Sequence, residues 1–225
     1  SLEHSNCGYG TIIPLGASGP THAIVGVALD SLHSMFQRTG TNGNGISDGN
    51  GIQGIFDQDF FKKEYESIRK LDENVEVPEF PQDKNIGVGM FQLPRDEDKR
   101  EQCQKIVSDV LKECGYEHAL WRDVPTDDRS IVEAARDGMP NFGQILIPQG
   151  DVADPYRFEM NLMVIQKVIQ NRIQTAELIG KEPDVFYSHG ISHLDLTYKG
   201  KLHARELPNF FTDLKNPDFK MHTVT

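Results

Sequence analysis

The sequence predicts an α+β fold in which antiparallel sheets are covered by helices, and three observations lead there. Several long stretches repeat apolar residues at helical spacing, and short β-branched or glycine-bearing segments lie between them. The two kinds of segment alternate without the strict strand–helix–strand rhythm of a doubly wound parallel sheet. No internal repeat and no convincing linker interrupts the 225 residues, so one domain is expected.

In chain order, Cys7–Pro14 reads as a short strand, with Gly8 and Gly10 flanking Tyr9 and a β-branched Thr11-Ile12-Ile13. Ile24, Val25, Ala28, Leu29, Leu32, Met35 and Phe36 then recur at spacings of three and four, a helix that should end near Arg38. The Gly, Asn and Ser of Thr39–Gly51 forbid its continuation. Gly51–Phe56 is a strand and Asp59–Leu71 a helix. Asp72–Asp83, with two prolines and five acids, is a surface loop. Asn85–Leu93 is a strand, Glu97–Glu113 an amphipathic helix, and Tyr116–Val124 a strand stopped by Pro125. Arg129–Arg136 is a short helix, Phe142–Ile147 a strand, and Pro155–Leu178 a long helix with Phe158, Leu162, Ile165, Ile169 and Ile173 on one face. Val185–Tyr187 and Leu194–Tyr198 suggest a hairpin around His189–Ser192. Leu207–Leu214 closes the series as a short helix with Pro208 in its first turn.

Charge excludes some functions. Lys and Arg number 23 against 34 Asp and Glu, a net charge of −11, so nothing neutralises the phosphates of a nucleic acid or an anionic membrane. No apolar run approaches the ~20 residues of a membrane-spanning helix, and no signal-peptide pattern opens the chain. Three cysteines, at 7, 103 and 114, make no disulfide framework, and a reducing compartment, the cytoplasm, is expected.

Cys103 and Cys114 share a helix face with Ile106, Val107, Val110 and Leu111 and read as inert buried hydrophobes. Cys7 reads two ways, as an edge-strand cysteine or as a nucleophile. At a chain terminus its α-amine, with a pKa near ~8, would serve as base for its own thiol. Gly49–Gly54 matches a dinucleotide fingerprint in letters only, because a strand and not a helix follows it. His189 and His193 read as loop histidines, since Gly190 lies between them. The single Trp121 reads as a core anchor with Arg122 and Asp123 pairing nearby, or else as a ligand platform. The loop from Arg38 to Ile52 is likewise open to two readings. Arg38 is a surface residue on a flexible turn, or it presents its planar fork to a carboxylate while glycines admit a small ligand.

Taken together and in order, several motifs resemble one family. They are Cys7-Gly8-Tyr9-Gly10, the helix running to Arg38-Thr39-Gly40, Asp48-Gly49-Asn50-Gly51-Ile52 and Phe60-Phe61. Gly87-Val88-Gly89-Met90-Phe91-Gln92-Leu93-Pro94, Trp121-Arg122-Asp123-Val124-Pro125 and Tyr198-Lys199-Gly200-Lys201-Leu202 follow. They are similar to the amidotransferase domain of glutamate synthases, class II glutamine amidotransferases of the N-terminal-nucleophile hydrolase superfamily. The resemblance implies a four-layer αββα sandwich of antiparallel sheets. It implies Cys7 as nucleophile, its freed α-amine as base and Arg38 as clamp on the glutamine α-carboxylate. Thr39 and Gly40 of the same motif would bind substrate, with Asp48 and Gly49 in the loop that shapes the pocket. Glutamine is the substrate so implied, and ammonia would pass to a separate glutamate synthase domain or subunit carrying FMN and an iron–sulfur cluster. No cofactor and no metal is expected in this chain, because a cluster takes four thiolates.

Two departures from the family accompany these expectations. Ser1–Asn6 precedes Cys7 and reads as a tag or short propeptide, and an amide nitrogen at Cys7 is not basic. The family's oxyanion Asn-Gly pair follows a strand that should begin just past Thr225, so residues 7–225 are expected to be a C-terminally truncated domain with poor turnover of its own. The alternative expectation is a catalytically degenerate subunit that binds glutamine or regulates a partner synthase.

Overall fold

The computed structural model describes residues 8–16, 19–71, 77–81, 83–181 and 184–225. Cys7, Ser1–Asn6 and the acidic stretch 72–76 lie outside them. The helices are α1 (His22–Ser34), α2 (Gln58–Leu71), α3 (Glu97–Glu113), α4 (Glu133–Arg136), α5 (Pro155–Thr175) and α6 (Leu207–Phe210). The strands are β1 (Asn50–Phe56), β2 (Ile86–Leu93), β3 (Leu120–Asp123), β4 (Asn141–Pro148), β5 (Tyr187–Ser192), β6 (Asp195–Gly200) and β7 (Met221–Val224). They form two sheets, in two compact units.

The first unit takes the described residues of Ser1–Asp57 together with Pro125–Met139 and Thr197–Thr225. Its sheet has the order β6-β1-β7, with β1 antiparallel to β7 and Gly54 opposite Val224. A side chain at Gly54 would run into the Thr223 carbonyl, so glycine sets how closely the two strands approach. The Thr21 hydroxyl caps α1 by accepting the Ile24 N–H at 3.3 Å. The helix then buries Ile24, Val25 and Ala28 and packs on β7 and β1. Tyr198 is fully buried between Phe211 and Phe219, and its hydroxyl donates to Asp213 at 2.7 Å, which satisfies the one polar atom the ring carries inward.

The second unit, Gln58–Val124 with Pro140–Leu196, is built on a four-stranded sheet of order β3-β4-β2-β5. All three pairings are antiparallel. Phe91, Leu93, Ile145, Ile147 and Ile191 share a core with Val107, Val110 and Leu111 of α3 and Phe158, Leu162, Ile165 and Ile169 of α5. Gly87 and Gly143 stand where any side chain would meet Leu162 or Leu93. On β3 and β4, Arg122 and Gln144 bond each other, and Arg122 reaches Glu64 of α2. Because so much of β2 and β4 is covered, they read as nearly continuous buried runs. Asp96 caps α3, and Asp154 followed by Pro155 starts α5.

Helix-covered antiparallel pairing is therefore the architecture, with local differences from expectation. The strand expected over residues 7–14 contracts, among the described residues, to one bridge between Ile12 and Val224. The expected hairpin is not formed. Residues 189–192 are strand, β5 joins β2, and β6 joins the sheet of β1. The Ser192 hydroxyl accepts the Leu194 and Asp195 N–H groups at 2.9 and 3.1 Å, turning the chain from one sheet to the other. His193 is buried and bonded to Glu159. Trp121 is a core anchor as expected, its indole N–H on Ser108, but Arg122 pairs with Glu64 and not Asp123. Cys114 is exposed, because α3 ends at Glu113 and the chain turns away at Gly115.

Candidate functional site

The site residues expected from sequence that the structure describes, Arg38, Thr39, Gly40, Asp48 and Gly49, lie on one loop of the first unit. After α1, Phe36–Arg38 form a single 3-10 turn whose closing bonds run from the Arg38 N–H to the Met35 carbonyl (2.8 Å) and from the Thr39 N–H to the Phe36 carbonyl (3.1 Å). This turn sets Arg38 at the head of the loop, exposed, and among the described residues it has no ion-pair partner. In a chain of net charge −11 that leaves a guanidinium fork available to an incoming carboxylate.

From Thr39 to Gly49 the loop folds back on itself. The Asp48 N–H donates to the Gly40 carbonyl at 3.0 Å, Thr41 bridges Ser47, and the Asn42 N–H donates to the Ile46 carbonyl at 2.9 Å. The Asn42 side-chain oxygen accepts the N–H groups of Asn44 and Ile46, and Gly45 takes the left-handed φ of +79° that closes the tip. Gly40 has no room for a side chain, since one would strike the Asp48 carboxylate. At Gly49, φ is +130° and the Gly200 carbonyl lies 3.2 Å from where a Cβ would stand. Arg38, Thr39, Gly40, Asp48 and Gly49 thus belong to one small hydrogen-bonded body.

Residues not selected from sequence hold that body in place. Asn50, on the first position of β1, accepts the Thr39 hydroxyl at 3.1 Å and donates to the Leu202 carbonyl at 2.8 Å and to Ser47 Oγ at 3.3 Å. Ser47 is buried and also accepts the Gly49 N–H. His203 bonds the Gly45 carbonyl at 2.8 Å; a carbonyl only accepts, so the proton is on Nε2. Glu206 accepts the His203 N–H at 2.8 Å and the Val132 N–H at 3.2 Å. Asn50 was within reach of sequence reasoning, as part of the Asp48–Ile52 motif. His203 and Glu206 carried no local signal.

Cys7 itself lies outside the described residues, but its neighbour does not. Gly8 rests on the stem of Arg38, where an added Cβ would lie 3.3 Å from both Arg38 Cβ and Cγ. A cavity of about 530 Å³ opens beside the loop, lined by His33, Phe36, Gln37, Thr39, Thr41, Asn50, His203, Ala204 and Arg205. Thr39 is the one expected site residue on its wall.

The remaining thiols do not fit an iron–sulfur cluster. Cys103 is fully buried in the apolar core, where desolvation pushes its thiol up to about 11, and Cys114 is exposed at the end of α3. Among the described residues, no helix is long and apolar enough to cross a membrane.

Comparison with known proteins matches residues 7–225 to the family model described as glutamine amidotransferases class-II. The chain is 30% identical over 223 residues to ferredoxin-dependent glutamate synthase 2, chloroplastic, of Arabidopsis thaliana, covering 97% of this chain and 13% of that protein. It is 28% identical over 220 residues to the glutamate synthase [NADPH] large chain of Azospirillum brasilense, covering 97% of this chain and 14% of that one. Glutamate synthase [NADH] of Saccharomyces cerevisiae gives 28% over 227 residues, 98% of this chain and 10% of the other. The chain therefore spans 10–14% of the length of these relatives.

Proposed function

Because the chain belongs to the class II glutamine amidotransferase family, we propose that it is the glutaminase module of a glutamate synthase. It hydrolyses glutamine to glutamate and ammonia through a thioester on Cys7 and passes the ammonia to a separate synthase domain. The approach of Gly8 to the stem of Arg38 supports this reading most directly, since it ties the residue after the nucleophile to the anion-binding side chain.

The chemistry follows from the residue types. On a chain beginning at Cys7, the α-amine takes the thiol proton and the thiolate attacks the side-chain amide carbon of glutamine. The carbon–nitrogen bond breaks, the amine's proton goes to the leaving nitrogen, and ammonia departs. Water then adds to the thioester, glutamate leaves, and the thiol is restored. Arg38, exposed and without an ion-pair partner among the described residues, clamps the α-carboxylate of the substrate. Thr39, Gly40, Asp48 and Gly49 shape the wall on which the substrate rests, and their mutual hydrogen bonds preorganise it. FMN and an iron–sulfur cluster belong, in this reading, to the synthase domain, and no step in this chain runs through them. Cys103 and Cys114 are free thiols, which suits a reducing compartment, and we set the module in the cytoplasm.

The test is ammonia release from glutamine by the full-length protein that carries this chain, processed to begin at Cys7. Activity is expected to vanish in Cys7→Ala. In Arg38→Lys the KM for glutamine should rise about tenfold or more, because the bidentate fork is lost. Undiminished ammonia release by Cys7→Ala would refute the assignment.

A further inference from the structure

We propose that the cavity beside Thr39 is a second ligand site, taking a small organic carboxylate with an apolar body, and that Arg205 is the residue that recognises the anion. Its walls combine two kinds of surface. Phe36, Ala204 and the rings of His33 and His203 supply carbon, and Phe36 is 59% exposed, a large apolar area left facing the space. Arg205 supplies the charge. Its Nε donates to His33 Nε2 at 2.9 Å, which fixes the plane of the guanidinium, and among the described residues no carboxylate pairs with it. An arginine oriented through Nε keeps its two terminal nitrogens as a fork, the geometry that binds a carboxylate bidentately.

Several other polar groups on the wall are already engaged. Thr39 donates to Asn50, Asn50 donates to Leu202 and Ser47, and His203 donates to Gly45. Gln37 and Thr41 also line the wall and can donate, but Arg205 is the one arginine or lysine among the lining residues, so recognition of the charge falls to it. At about 530 Å³ the space falls within the range of pockets for small molecules. Of the loop residues assigned to glutamine above, Thr39 alone lines it, and Arg38, Gly40, Asp48 and Gly49 do not, so the two sites share one wall residue and not the arginine.

Titration of the full-length protein that carries this chain with phenylacetate, followed by calorimetry and by the imidazole proton resonances of His33 and His203, tests this. Saturable one-to-one binding that moves both rings is expected. The neutral phenylacetamide should bind about tenfold more weakly, and so should inorganic phosphate, which lacks the apolar body. Arg205→Gln should weaken phenylacetate about tenfold and leave phenylacetamide unchanged, which also shows that the variant is folded. Phe36→Ala should weaken both organic probes. The proposal fails if phenylacetate does not saturate, if Arg205→Gln binds it as well as the unmodified chain, or if phosphate binds as tightly. It also fails if glutamine displaces phenylacetate competitively; the cavity would then be the glutamine site itself, and the glutaminase reading would stand.

Discussion

Gly8 is packed on Arg38 so closely that a methyl group added to the glycine would lie 3.3 Å from two carbons of the arginine stem and 3.7 Å from Met35 Sδ. Contact at that distance forces the neighbour to give, and Arg38, being exposed, is the partner able to move. Gly8→Ala is therefore expected to displace the guanidinium with little cost to folding. Ammonia release should fall about tenfold or more, as small misplacements of positioning groups do, while the thermal midpoint stays within about 3 °C. Steady-state assays beside a thermal melt read both quantities. A large drop in midpoint with unchanged kinetics would refute the positioning role.

Glu159 supports an acid-side dependence of stability. Burial disfavours its anion, but the His193 ring, the His193 N–H and the Ser192 hydroxyl all donate to it, at 2.7, 2.9 and 2.8 Å, and together they hold its carboxyl below the usual range. A carboxyl depressed in the folded state stabilises fully above its unfolded value of about 4.3, and that stability is lost as pH falls through the folded value. Glu159→Gln should cost about 1–3 kcal/mol near neutral pH, and the gap from the unmodified protein should narrow below about pH 5. Urea unfolding across a pH series measures it. A gap that stays constant into acid would contradict the assignment.

Arg122 is 6% exposed, bonded to Glu64 and Gln144 at 2.7 Å each, with its guanidinium carbon 5.6 and 5.9 Å from the ring centres of Phe60 and Phe61. Arg122→Ala leaves a hole among those rings and takes the guanidinium from Glu64 and Gln144, and should cost about 2–4 kcal/mol. Arg122→Met refills the apolar slot and should recover at least about 1 kcal/mol of that in urea denaturation. Equal losses for the two variants would show that the charge, and not the packing, carries the stability.

Gly87 gives α5 its distance from the sheet. A side chain there would come within 2.8 Å of Leu162 Cδ1 and 3.2 Å of Phe158 Cζ. Gly87→Ala should destabilise by about 1–3 kcal/mol through overpacking. Combined with Leu162→Ala, which vacates the contested space, the two losses should be less than additive, and a double-mutant cycle in urea reads the coupling. Strict additivity would argue against the contact.

What was legible in the sequence was what local physics controls. The bounds of α3 coincide with those expected because Asp96 caps its start and Gly115 turns the chain just past its end. The Arg38–Gly49 loop announced itself through glycines and an Asp whose contacts are mostly to one another. β7 escaped notice because four residues are too few to show a period, and its strand character comes from pairing with β1. His203 escaped for the same reason on a longer scale, and so did the bracing role of Leu202, although Leu202 ends a motif the sequence displays. They brace Gly45 and Asn50 from 158 and 152 residues away, and nothing in the letters around them advertises those partners. The hairpin expected near His189 failed because adjacency in sequence did not decide which sheet each strand joined.

The bridges that join Ile12 to Val224 and Thr21 to Met221, each by a pair of backbone hydrogen bonds, have a bearing on the order of events during synthesis. The whole sequence of the second unit emerges from the ribosome before β7 does, so its sheet and helices have their partners while the first unit still lacks a strand. The stretch from Arg38 to Asn50 is translated early yet waits for Leu202 and His203 to brace it. Contacts of such separation form slowly, since the chain must close a long loop before they reward it. The machinery around Arg38 is thus assembled late, and a nascent chain stalled before Leu202 would carry these residues without the braces that shape them.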